Sequence, residues 1–223
     1  MSDLSPRVTA NTVSDVMTRT VVAVGRLATF KEIVHSMQEW RVSALPVLEG
    51  DARVVGVVSE GDLLPKEEYR EHRPRLFEPR ERMEELFKSG GRTADELMSS
   101  PAICVHEDAQ VAEAARIMAR KHVKRLPVVD GDSRLAGVVS RGDLLKVFLR
   151  PDGEIAEEIR HDVLRLLPHD AAVSLRVTVD KGVATVGGFL ADTALVPVTA
   201  RLVRSVEGVV DVRFELDGGQ QAA

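Results

Sequence analysis

Cysteine is nearly absent: Cys104 is the single thiol in 223 residues. One thiol closes no intramolecular disulfide, so nothing here calls for an oxidising compartment. Its neighbours Ala102, Ile103 and Val105 are apolar, the setting of a small buried residue and not of a reactive thiol, which needs an electropositive, accessible place. Long apolar runs are missing as well. None approaches the ~20 residues of a membrane helix, and residues 1–20 are polar without an apolar signal core, so the expected compartment is the cytoplasm. An excess of positive charge is also lacking: 30 basic against 35 acidic side chains leave a net charge of −5, which argues against a nucleic-acid binder carried by overall charge. Catalytic signatures are missing too. There is no phosphate loop, no Gly-x-Ser-x-Gly elbow and no metal motif. Ser59 and Ser140 have no evident neighbouring base, and His122 has no Cys or His partner at metal spacing. The chain reads as non-catalytic, with no metal and no required cofactor.

What is present is a repeat. Leu45-Pro46-Val47 returns as Leu126-Pro127-Val128, and Gly56-Val57-Val58-Ser59-Glu60-Gly61-Asp62-Leu63-Leu64 as Gly137-Val138-Val139-Ser140-Arg141-Gly142-Asp143-Leu144-Leu145. Every pair is 81 positions apart without a gap, and 20 of 52 positions from Val13 to Leu64 recur in Ala94–Leu145. Chance would give roughly three, so the segment is duplicated. Each copy reads as the same small unit. Val21–Val24 forms a short strand, and Phe30, Ile33, Val34 and Met37 lie at helical spacing within Ala28–Trp40. Leu45–Leu48 and Val54–Val58 are strands joined by a turn at Asp51-Ala52-Arg53. Gly61-Asp62-Leu63-Leu64 opens a second helix. A unit of about 50 residues is small to stand alone, whereas two packed together share a core.

These residues resemble a known family. The openings Asp15-Val16-Met17-Thr18 and Glu96-Leu97-Met98-Ser99, the two Leu-Pro-Val strands and the two Gly-Val-Val-Ser-x-Gly-Asp-Leu-Leu ends are similar to those of cystathionine-β-synthase (CBS) domains, and the tandem resembles a Bateman module. Between the copies, residues 65–92 mix charges of both signs, and Glu78–Lys88 allows helical charge pairs, as expected of a solvated helical linker.

In each copy a strand ends in Ser, followed by x-Gly-Asp and a helix. Capping alone accounts for this: Ser caps the helix and Asp three residues on completes a capping box. The same geometry suits a ligand. A helix N-terminus offers free N–H groups to an anion, a Ser hydroxyl donates to phosphate, and a carboxylate such as Asp62 or Asp143 accepts from a vicinal diol, the mark of ribose. The resemblance implies that Ser/Thr-x-x-Asp grips ribose phosphate, and that Val21, Val22, Ala102 and Ile103 line an adenine pocket. It also implies pairing into flat homodimers.

The copies differ before Leu-Pro-Val, where Lys121-His122-Val123-Lys124-Arg125 replaces Trp40-Arg41-Val42-Ser43-Ala44, and after the serine, where Arg141 replaces Glu60. Polyphosphate prefers positive charge. A charged nucleotide is therefore expected at a site of Ser140, Asp143, Arg141, Lys124, Arg125 and His122, with a weaker or empty site at Ser59 and Asp62. The plain alternative for the basic residues is a solvated surface.

After Arg150-Pro151-Asp152-Gly153 the pattern changes. Ile155, Ile159, Val163 and Leu166-Leu167 form a helical stripe stopped by Pro168. Leu175, Val177 and Val179 alternate as a half-buried strand, Asp180-Lys181-Gly182 turns, and Val183–Val186 returns before Gly187-Gly188 breaks the strand. A second helix spans roughly Thr193–Ser205. Pro197 would break an interior turn, which places the start near Val196. Gly208 ends it, and Val210, Val212, Phe214 and Leu216 alternate as a last strand. This αββαβ order, with its glycine spacing from Val177 to Gly188 and at Val206-Glu207-Gly208-Val209, resembles a BON domain, a family associated with phospholipid or membrane binding.

The expected fold is α/β (α+β): two βαββα repeats packed as a pseudo-symmetric pair, then a small αββαβ domain. The segments are 1–12 tail, 13–64 first repeat, 65–93 linker, 94–149 second repeat, 150–154 linker, 155–217 BON-like domain and 218–223 tail. The expected function is a regulatory sensor of energy state. AMP, ADP, ATP or a related adenosyl ligand would bind the repeats, and the last domain would meet phospholipid or a protein partner. The alternative is a structural or stress-related scaffold whose repeats bind no ligand.

Overall fold

The computed structural model describes residues 12–69, 87–168, 175–190 and 192–217. They form two compact units, Thr12–Arg141 and the chain from Gly142 onward. Most of Glu78–Lys88, with its expected charge pairs, lies outside the described residues.

In the first unit each repeat builds one three-stranded sheet. The first repeat runs α1 (Val13–Val16), β1 (Val24–Gly25), α2 (Phe30–Trp40), β2 (Ala44–Glu49), β3 (Arg53–Ser59) and α3 (Glu60–Leu63), with α4 (Pro65–Glu68) following. The second runs α5 (Ala94–Leu97), β4 (Val105–His106), α6 (Val111–Lys121), β5 (Arg125–Val129) and β6 (Leu135–Ser140), then α7 (Arg141–Leu144). In both sheets the short strand pairs parallel with the Leu-Pro-Val strand, which pairs antiparallel with the Gly-Val-Val-Ser strand. Even the register shift recurs, at Val47/Leu48 and at Val128/Val129. The expected strand at Val21–Val24 is shorter than the sequence implied. Only Val24 and Gly25 pair, with Val47 and Leu48; the position of β2 that would face Ala23 is Pro46, which has no N–H to give a ladder.

Local chemistry explains the helices. Thr29 caps α2, and Glu32 reaches back to the Thr29 N–H at 2.7 Å and accepts from its hydroxyl at 2.9 Å, a complete capping box. Ile33 and Met37 turn one stripe of α2 onto Leu45, Val47 and Val58, and that core takes in Ala94 and Leu97 from the second repeat. Helices α2 and α6 both end in a left-handed residue, Arg41 and His122, rather than glycine.

The repeats are joined by exchanging their openings. Ser99 lies antiparallel to Val57, with N···O distances of 2.9 and 3.1 Å, and Thr18 lies antiparallel to Val138, at 2.9 Å in both directions. These bridges map onto one another by the shift of 81. So do Ala94 N to Ala28 O and Val13 N to Ala109 O, each 2.8 Å. Arg53 pairs with Arg134, its own equivalent, so the pseudo-twofold passes between them. Gly56 and Gly137 permit this: a Cβ on Gly137 would stand 2.6 Å from Met17 Sδ and 2.9 Å from the Thr18 carbonyl, and one on Gly56 would run into the Met98 side chain.

The second unit contains α8 (Asp152–Glu158), a π-helical turn at Ile159–Val163 and a tighter one at Leu164–Leu166. The strands β7 (Leu175–Asp180) and β8 (Val183–Gly188), helix α9 (Val196–Arg204) and β9 (Asp211–Leu216) follow. The order β7-β8-β9 is antiparallel, then parallel. Two expectations change. The stripe from Ile155 to Leu167 is not one uniform α-helix but widens and then tightens, keeping Ile155, Ile159, Val163, Leu164 and Leu167 in the core. Gly187 and Gly188 do not end β8; both pair, with Arg176 and Leu175 on one side and Glu215 and Leu216 on the other. Helix α9 starts at Val196 with Pro197 in its first turn, where a missing N–H costs nothing. Lys181 and Gly182 both have positive φ, 49° and 75°, the hairpin-turn geometry. The Asp152 carboxylate accepts from both their N–H groups, at 2.7 and 2.8 Å.

Candidate functional site

One cavity of about 360 Å³ brings both repeats together within the first unit. From the first repeat come Ser43, Ala44, Val57, Ser59, Glu60, Gly61 and Asp62. From the second come Ser99, Pro101, Ala102, Ile103, His122, Val123, Lys124 and Arg125. The volume lies in the usual range for small-molecule sites, about 300–1,000 Å³.

The exchange of openings makes this grouping. The Ser99–Val57 ladder lays the second repeat's opening on β3, so Pro101, Ala102 and Ile103 follow directly onto the end of the first repeat's sheet. At that end Ser59 leaves β3 and caps α3. The Ser59 N–H and hydroxyl donate to Asp62 Oδ2 at 2.8 and 2.6 Å, fixing one edge of the carboxylate. The other oxygen, Oδ1, accepts from the Lys88 ammonium and from the Ser99 hydroxyl, the latter at 3.2 Å. The Asp62 side chain is 11% exposed.

Basic side chains come from the second repeat. His122 ends α6 in the left-handed conformation and starts the turn into β5. Arg141 holds that turn from behind, its N–H on Lys124 O at 3.1 Å and its guanidinium on Val123 O at 3.2 Å. Arg125 donates to the Ser43 hydroxyl at 2.9 Å, a bond between the repeats. The cavity thus combines the carboxylates of Glu60 and Asp62, the basic side chains His122, Lys124 and Arg125, and apolar residues at Val57, Pro101, Ala102 and Ile103. Cys104, one residue on, is pushed up to about 11 by burial; its sulfur faces the Ala102 carbonyl at 3.8 Å.

The sequence grouped these residues differently. His122, Lys124, Arg125, Ala102 and Ile103 surround Ser59 and Asp62, whereas the sequence attached the basic group to Asp143. Asp143, on α7, does not line this cavity; its carboxylate accepts from Lys146 at 2.7 Å. Ser140 pairs with Arg125 across β5 and β6. Val21 and Val22 do not line this cavity; Val22 packs on the first repeat's core. Sequence reasoning missed Lys88 and Ser99. Ser99 aligns with Thr18 in the repeat and could have been found once the crosswise pairing was recognised.

This is a duplicated α/β pair with a ligand-sized cavity at the junction of its halves, followed by an independent αββαβ domain. The CBS domain family matches residues 13–67 and 94–150, and the BON domain family matches 151–217. The chain belongs to the CBS-domain family, as a CBS pair followed by a BON domain. The chloroplastic CBS domain-containing protein CBSX1 of Arabidopsis thaliana is 28% identical over 161 residues, 66% of this chain and 67% of that protein. An uncharacterised protein of Methanopyrus kandleri is 29% identical over 153 residues, 66% of this chain and 68% of the other. The crystal structure of CBSX2 in complex with AMP matches with a TM-score of 0.55 at 28% identity, over 62% of this chain and 96% of that one. Among the described residues no helix is long and apolar enough to cross a membrane.

Proposed function

We propose that this chain is a non-catalytic regulator whose CBS pair binds an adenine nucleotide in the cavity around Asp62. The observation that carries the reading is the cavity's lining: the Asp62 carboxylate, the basic side chains Lys124, Arg125 and His122, and apolar residues share one space. Asp62 accepts from the ribose diol, the basic group receives phosphate, and Ala102 and Ile103 pack against adenine. The AMP held by CBSX2, a relative of the same fold, supports the choice of ligand. Because the lining comes from both repeats, a bound nucleotide favours whichever packing of the halves it fits best, and shifts the population by that difference in affinity.

In the same proposal the paired repeats form a homodimer, with Leu27, Trp40 and Leu64 more than half exposed as apolar contact groups. The BON domain carries the output to phospholipid or a protein partner, and the protein works in the cytoplasm. The test is thermal unfolding with AMP, ADP, ATP, S-adenosylmethionine and GTP, beside Asp62→Ala. A ligand bound to the native state raises the midpoint as its concentration passes the dissociation constant, and the rise is lost in the variant. A second reading has its own observation. The reciprocal Ser59–Asp62 capping box accounts for both residues without any ligand, and no shift with any compound selects the scaffold.

A further inference from the structure

Asp62 has no acceptor position to spare. Oδ2 takes the N–H and hydroxyl of Ser59, and Oδ1 takes the Lys88 ammonium and the Ser99 hydroxyl. A carboxylate offers about four lone-pair directions, and two must be open to receive a vicinal diol. The Lys88 ammonium also reaches Ser99 Oγ at 3.2 Å and is only 24% exposed. The backbone carrying it is held in turn: Lys66 donates to the carbonyls of Ser89 and Gly91, both at 2.9 Å, and lies 5.2 Å from the centre of the Phe30 ring.

We propose that Lys88 is a latch, an internal cation that occupies the diol-binding edge of Asp62 and must be released before a ribose is bound. This rests on the nucleotide reading above. A neutral ribose must displace a charge-assisted hydrogen bond and puts none in its place, so a nucleoside alone binds poorly. A nucleotide adds an anion for Lys124 and Arg125 and overcomes the latch. The latch raises the threshold for both ligands alike, and the phosphorylated one carries an anion with which to meet it.

The experiment measures binding of adenosine and of AMP by calorimetry to the full chain and to Lys88→Met. In parallel, Lys88 acylation by an amine-reactive reagent is followed by mass spectrometry on the wild-type protein with and without AMP. The latch predicts that Lys88→Met binds both ligands about tenfold more tightly, and that AMP speeds acylation of Lys88. Unchanged or weaker binding by the variant overturns it, as does protection of Lys88 by AMP, which would make the ammonium a ligand contact. Wild-type AMP binding with an unchanged variant defeats the latch alone. No binding by either protein defeats the nucleotide reading and the latch with it. The acylation arm needs no substitution and stands even if the variant unfolds.

Discussion

Gly56→Ala and Gly137→Ala are the same substitution at positions related by the repeat, and their costs should differ in kind. The three atoms nearest a methyl at Gly56 all belong to the Met98 side chain, which is flexible. A methyl at Gly137 meets Met17 and, at 2.9 Å, the Thr18 carbonyl. That carbonyl is fixed by the Val138 N–H at 2.9 Å and has little room to retreat. Overpacking of this kind costs about 1–3 kcal/mol. In a Met98→Ala background Sδ and Cγ are gone and the Cβ at 3.1 Å stays, so the Gly56→Ala cost should fall, with a coupling of about 1–2 kcal/mol. In a Met17→Ala background, Gly137→Ala should still cost about 1 kcal/mol or more, because the carbonyl remains. Urea unfolding followed by fluorescence reads this unit alone, since Trp40 is the single tryptophan. The Val57–Ser99 ladder carries Ala102 and Ile103 to the cavity, so Gly56→Ala should also weaken nucleotide binding, and Met98→Ala should restore part of it. Coupling below ~0.5 kcal/mol at Gly56 would refute the exchange of openings between the repeats.

Reversing the basic pair by Lys124→Glu with Arg125→Glu should weaken AMP by about a hundredfold or more, from the loss of charge-assisted bonds and added repulsion; calorimetry showing unchanged affinity would move the phosphate elsewhere. Burial holds the Cys104 thiol at about 11, so the native protein at pH 8 should react with iodoacetamide far more slowly than the urea-unfolded chain, and equal rates would contradict the burial. The Thr29 N–H, and then its hydroxyl, hold the Glu32 carboxyl below its usual 4.5. A depressed carboxyl stabilises the fold above its unfolded value and loses that contribution as pH falls through its folded value. The stability gap between the wild-type protein and Glu32→Gln should therefore be constant above about pH 5 and close at lower pH, and a gap independent of pH would show the cap to be absent.

The repeat made most of the fold legible. Identical residues 81 apart had to take identical places, so the sheets, the helix stripes and the Ser59 cap followed from pattern and spacing. What sequence distance concealed was partnership. Ser59 and Ser140 each follow a basic or apolar stretch of their own copy, and nothing local says that Ser99 of one copy lies on Val57 of the other. The signal was there in Gly56, Gly137, Met17 and Met98, which are the same in both copies. A glycine inside a β strand marks close approach of something else, and here it is a methionine from the other half. Lys88 escaped because a charged linker reads as solvated, and only the fold brings it to Asp62. Gly187-Gly188 misled in the opposite way, since glycines that read as a strand break are paired on both sides.

The axis between Arg53 and Arg134 records how an asymmetric receptor can arise. Two copies of a single ancestral repeat, meeting across that axis as separate chains, would be bound to present two identical cavities, because every substitution would appear twice. Fusing them into one polypeptide removed that obligation. Arg41 and His122, Ser43 and Lys124, and Ala44 and Arg125 occupy equivalent places and have diverged in charge. One side of the pair now carries Lys124 and Arg125 where the other carries Ser43 and Ala44. Tandem inheritance is what let a twofold scaffold distinguish one of its sides from the other.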